Sequence, residues 1–224
     1  MNATRSFDAV LFDFGGTLFG HTTGPQLVVE AARTIDVDLA PEVAVSLWAD
    51  IDAAAMDPEE VALGRDLDAS VWQTRWAVLY GLADRAAAGL GAAIDATMND
   101  PWAWLPHADA VPVLETLQAA DVAIGLVSNT GWDVRAPFAV RGIERFLGNV
   151  VLSYEVGLVK PDPAIFLLAC EAAGSIPSRT LFVGDNPWTD GGAIAAGLGV
   201  LLVPPAALGA AHGLMGAARL AAAR

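Results

Sequence analysis

Several short runs of the chain are apolar without interruption: Val10-Leu11-Phe12, Val122 to Val127, Thr180 to Val183, Val200 to Val203 and the shorter Val150 to Leu152. A strand buried on both faces reads this way, because neither side of it meets water. Between the later runs lie stretches that predict helices over Asp109 to Ala120, Trp132 to Arg141, Asp162 to Ala173 and Thr189 to Leu198. Strands alternating with helices imply βαβ units and a parallel sheet covered on both sides. The first run is followed by about a hundred residues before the second, far beyond an ordinary crossover. That interval predicts helices alone, over Pro25 to Thr34, Pro41 to Ala55, Asp68 to Arg85 and Gly91 to Met98. Pro25 and Pro41 suit first-turn positions, where a missing N–H is harmless. The expectation is an α/β chain: a Rossmann-like, doubly wound parallel sheet formed by residues 1–20 and 101–224, with an all-helical insert at 21–100.

Composition supports a packed protein, with 54% hydrophobic and 17% charged residues. The net charge of −14 argues against nucleic acid and anionic membrane as partners. An anionic small molecule would therefore need cations supplied locally. Asp8 and Asp13 bracket the first apolar run, which leaves no signal-peptide core there. The interval between Asp190 and Arg219 carries no formal charge, yet Pro204-Pro205 and seven glycines break it into strand, turn and helix rather than a membrane span. A cytoplasmic protein is expected. The lone cysteine, Cys170, excludes an internal disulfide and sits in a helical setting that suits a core thiol. Of the twelve basic residues, eleven are Arg, and Lys160 is the only Lys.

Ligands of an open parallel sheet bind where the strands end at their carboxyl edge. The first run delivers Asp13, Gly15, Gly16 and Thr17 there, and the second delivers Ser128, Asn129 and Thr130. Lys160 follows the third, in Gly157-Leu-Val-Lys-Pro-Asp162, and the fourth delivers Gly184, Asp185 and Asn186, with Asp190 just beyond. Taken singly, each has a plain structural use: Asp13 or Asp185 can start a turn, and Asp190 can cap a helix. Together they place carboxylates, a hydroxyl and the single Lys on one edge.

The segments Asp13-Phe-Gly-Gly-Thr-Leu, Val127-Ser128-Asn129, Lys160-Pro161-Asp162 and Gly184-Asp185-Asn-Pro-Trp-Thr-Asp190 resemble, in order, the four motifs of the haloacid dehalogenase (HAD) superfamily. The helical insert resembles its type 1 cap. The resemblance implies that Asp13 is a nucleophile, that Ser128 bonds the transferring group, and that Lys160 neutralises its charge. It also implies Mg²⁺ held by Asp13, the Gly15 carbonyl and Asp185, with Asp190 orienting Lys160. Gly16, Thr17, Asn129 and Thr130 are expected at the substrate.

One position departs from the pattern. Phosphatases of the superfamily usually carry a second Asp two residues after the nucleophile, as general acid and base; here it is Gly15. Three readings follow. The first is a Mg²⁺-dependent small-molecule phosphatase whose leaving group needs little help, with His21 as a candidate acid. The second is a metal-independent L-2-haloacid dehalogenase, which also lacks that Asp but normally has a cap Arg, for which Arg33 and Arg75 are candidates. The third is a catalytically weak binding or regulatory protein on the same fold. Trp72, Trp76 and Tyr80 recur at helical spacing, which predicts packing between cap helices, whereas Trp132 and Trp188 are placed to line the mouth of a site.

Overall fold

A computed structural model describes residues 6–222. Residues 1–5 and 223–224 of the expected core lie outside the described residues. Five strands form one parallel sheet: β1 (Ala9–Phe12), β4 (Ala123–Ser128), β5 (Asn149–Leu152), β6 (Thr180–Gly184) and β7 (Gly199–Leu202), in the order β5-β4-β1-β6-β7. Central β1 pairs with β4 on one side and β6 on the other. It therefore delivers Asp13 between the ends of the strands that deliver Ser128 and Asp185. Alternation along these strands feeds two apolar layers. Val10, Phe12, Leu126 and Val183 join one core with helices α6 (Ala110–Ala119), α7 (Arg135–Ala139) and α10 (Met215–Ala222). Leu11, Val127 and Phe182 face the other, against α9 (Pro163–Ala172). Asp162 caps α9 by accepting from the Ala164 N–H, with Pro163 in the first turn.

The interval after β1 is helical, as predicted: α1 (Gly24–Thr34), α2 (Pro41–Ala55), α3 (Pro58–Ala62), α4 (Ala69–Gly81) and α5 (Leu90–Met98). They enclose their own core, built on Leu27, Leu47, Ile51, Tyr80, Leu90 and Ile94, distinct from the two layers on the sheet. Asp68 starts α4 by accepting from the Ser70 and Val71 N–H groups. A two-stranded antiparallel ribbon, β2 (Phe19–Gly20) with β3 (Leu105–Pro106), ties together the chain entering and leaving these helices. The short helix α8 (Ser153–Val156) follows β5.

The structure corrects three local expectations. The helix expected over Trp132 to Arg141 is only Arg135–Ala139, and the one over Thr189 to Leu198 is a single 3₁₀ segment, Asp190–Ile194. Gly191 and Gly192 weaken helix at the second position. The helix expected to run to Arg85 ends as α-helix at Gly81 and continues as a 3₁₀ turn over Leu82–Arg85. Among the described residues no helix is long and apolar enough to cross a membrane.

Candidate active site

The carboxyl edge of the sheet and the helical insert enclose a cavity of about 400 Å³. Asp13, Gly15, Ser128, Asn129, Thr130, Lys160 and Asp185 all line it. At its base Lys160, 4% exposed, donates from Nζ to Asp13 Oδ1 and to Asp190 Oδ1, each at 2.6 Å. Burial acts to lower the Lys160 pKa, but the two carboxylates outweigh it and hold the ammonium above its ordinary value. Burial pushes the Asp13 carboxyl up to about 6, with Lys160 pulling against it and Asp190 and Asp185 adding to it. Asp185 is raised too, again chiefly by burial.

Asp190 is buried beneath the cavity. Its Oδ2 accepts from the N–H groups of Asp185 and Asn186 at 3.0 Å, which fixes the turn after β6. The β6 terminus is Gly184 because a Cβ there would strike the Asp190 carboxylate. Oxygens of Asp13, Asp185 and Asp190 lie within 4.8 Å of one another. Three carboxylates against one ammonium leave excess negative charge, and their hard oxygens suit a divalent cation such as Mg²⁺. The donor set thus fits the ion that the resemblance implies.

Two expected substrate-binding residues stand elsewhere. Thr17 is fully buried, and its hydroxyl donates to Asp185 Oδ1 at 2.9 Å. Gly16 has φ +79°, and a Cβ there would run into the same carboxylate. Neither lines the cavity; both set the position of Asp185. Asn129 lines it, but its side-chain amide clasps the Lys160 backbone, donating to the carbonyl at 2.9 Å and accepting from the N–H at 2.8 Å. Thr130 is held by its N–H donating to Ser153 Oγ at 2.9 Å. Ser128 ends β4 and lines the cavity, and among the described residues its hydroxyl has no hydrogen-bond partner.

His21, the candidate acid, is buried. Its ring is buried against Trp104 with centroids 4.9 Å apart, and its nitrogens face the carbonyl oxygens of Thr22 and Thr97. It does not line the cavity. Trp188, expected at the mouth, is 85% exposed and points elsewhere, whereas Trp132 does line the cavity. Trp72, Trp76 and Tyr80 do both things: Trp76 and Tyr80 pack into the helical core, and all three face the cavity. Arg75 is bound bidentately by Glu60 outside the lining, and Arg33 is exposed on α1. Among the described residues of the lining, Lys160 is the only cation. Asp66, from the turn before α4, joins the lining unforeseen. Its carbonyl accepts from Ser153 Oγ at 2.5 Å, which ties the insert to the start of α8.

A model of the haloacid dehalogenase-like hydrolases matches residues 7–197. The chain belongs to that family. Relatives named for two different chemistries are among those it matches. (S)-2-haloacid dehalogenase 4A of Burkholderia cepacia is 31% identical over 39% of this chain and 38% of its own length. Glyceraldehyde 3-phosphate phosphatase of Methanopyrus kandleri is 33% identical over 43% of this chain and 42% of its own. These matches thus span about two fifths of each relative. Among solved structures, L-2-haloacid dehalogenase from Xanthobacter autotrophicus superposes with a TM-score of 0.63 at 24% identity, covering 88% of this chain and 77% of that one. That likeness concerns the fold.

Proposed function

We propose that this HAD-family hydrolase is a Mg²⁺-dependent phosphatase of small anionic molecules, with residues 21–100 acting as a cap over a core made by the rest. The observation that carries the reading is the cluster of Asp13, Asp185 and Asp190 around Lys160. A site with this much negative charge repels a dianionic phosphate unless a divalent cation offsets it. The Mg²⁺ ion, held by Asp13, Asp185 and the Gly15 carbonyl, would screen that charge and polarise a phosphoryl oxygen.

Asp13 attacks phosphorus through its carboxylate oxygen, the P–O bond to the leaving group breaks, and an aspartyl phosphate forms. Water then attacks that phosphorus, restoring the carboxylate and releasing inorganic phosphate. Lys160 holds its ammonium against the developing charge, Ser128 donates to a phosphoryl oxygen, and Asp190 keeps Lys160 in place. Thr17 and Asn129 are positioning residues for Asp185 and Lys160.

The dehalogenase reading needs a cap cation to receive the halide. Both residues considered for it stand away from the cavity lining, Arg75 being held by Glu60. The test pairs two substrates in two conditions. Phenyl phosphate should be hydrolysed with Mg²⁺ and not in excess chelator, and 2-chloropropionate should yield no halide in either. Halide release that persists in chelator would overturn the reading in favour of the dehalogenase.

A further inference from the structure

We infer that the cavity is an aromatic box built for a flat ring joined directly to the phosphate, so that the substrate class is an aryl phosphate. This rests on the phosphatase reading and specifies its leaving group. Two sets of rings line the cavity beyond the carboxylates. Phe14, Trp104 and Trp132 come from the chain beside the sheet edge, with Phe14 and Trp132 each packed on Trp104 at centroid distances of 4.8 and 5.7 Å. Trp72, Trp76 and Tyr80 come from one face of α4, packed at 5.6 and 5.1 Å in succession. Close approach joins the sets: Gly131, next to Trp132, would place a Cβ inside the Trp72 side chain. Such preformed walls offer a ring an aromatic surface with little reorganisation.

The charged groups offer no place for a second anion. Lys160 is the only cation among the described lining residues, and it is already shared by Asp13 and Asp190. Among the described lining residues, the insert contributes two ionisable groups, Asp66 and Tyr80. A substrate cation would find the box less suited than its rings suggest, because the Arg65 guanidinium already lies over Trp76, 4.9 Å from the ring centroid.

Gly15 brings the leaving group into the same argument. Gly15 lines the cavity beside Trp104, whose ring a Cβ there would meet at 3.4 Å, in ordinary contact, and it brings no acid/base side chain of its own. His21 is turned onto two carbonyls. The departing oxygen therefore has no acid from Gly15 or His21 to protonate it. A phenol, with a pKa of about 10, leaves as its anion far more easily than an alkanol. The ring that stacks best in this box is thus also the group that needs no acid.

Binding of non-hydrolysable phosphonates to the Mg²⁺-loaded protein, followed by calorimetry, tests the assignment without relying on turnover. Phenylphosphonate should bind about tenfold tighter than cyclohexylphosphonate, which has similar bulk without a flat face. Methylphosphonate and 2-aminoethylphosphonate should bind more weakly still. Trp72→Leu should remove most of the preference for the phenyl over the cyclohexyl compound. Equal binding of the phenyl and cyclohexyl compounds, or tightest binding of the aminoethyl compound, would overturn the aryl assignment and leave the phosphatase reading standing. Failure of all four to bind would overturn both.

Discussion

Asp13→Asn should lower kcat by on the order of 10⁴–10⁶, the scale of losing a covalent nucleophile, with no loss of thermal stability. The amide is nearly isosteric and retains an oxygen that can accept from Lys160, now held at 2.6 Å from the carboxylate. What disappears is the attacking oxyanion. The fold should tolerate the change because burial already favours the neutral form of this carboxyl, whose pKa stands at about 6 beside Asp190 and Asp185. Steady-state rates with an aryl phosphate and a melting curve would check both halves. A variant that keeps near-normal turnover would contradict covalent catalysis by Asp13.

Lys160→Met should damage activity and stability together. The ammonium is the single cation among the described lining residues, and its loss should reduce kcat by about 10²–10³, as for removal of one charge-stabilising donor. It also leaves two buried carboxylates facing each other, since Nζ bridges Asp13 and Asp190. Breaking a buried ion pair from one side costs about 3–5 kcal/mol, which denaturant unfolding at neutral pH would resolve. Added Mg²⁺ should recover part of the stability and little of the rate. A variant as stable as the wild type would mean that the Asp13–Lys160–Asp190 bridge contributes little to the fold.

The parallel sheet was legible because each central strand is apolar on both faces and ends abruptly in polar turn residues. Asp13, Ser128 and Asp185 follow from that punctuation, and Lys160 from its singularity. The β2–β3 ribbon was not legible, since Phe19-Gly20 and Leu105-Pro106 are too short to show alternation and pair across the whole insert. Thr17 and Asn129 adjoin motif residues, which predicts a place at the substrate. Their partners, Asp185 and Lys160, lie far along the chain, and no local signal announces such a pairing. The period of four across Trp72, Trp76 and Tyr80 predicts packing. A helix at the rim of a cavity serves two surfaces with one face, so periodicity gives the face without saying what it meets. His21 sits in a loop of Gly and Thr that reads as solvated, and only the tertiary contact with Trp104 buries it.

The central claim is that the Asp13 carboxylate takes the phosphoryl group. The most direct test is to mix the protein with Mg²⁺ and excess radiolabelled phenyl phosphate, quench in acid within a turnover, and map the labelled peptides. Label should appear as an acid-stable, hydroxylamine-sensitive acyl phosphate on the peptide containing Asp13, and be absent from Asp13→Asn. Steady phosphate release with no label on that peptide, or label on a different carboxylate, would contradict the account.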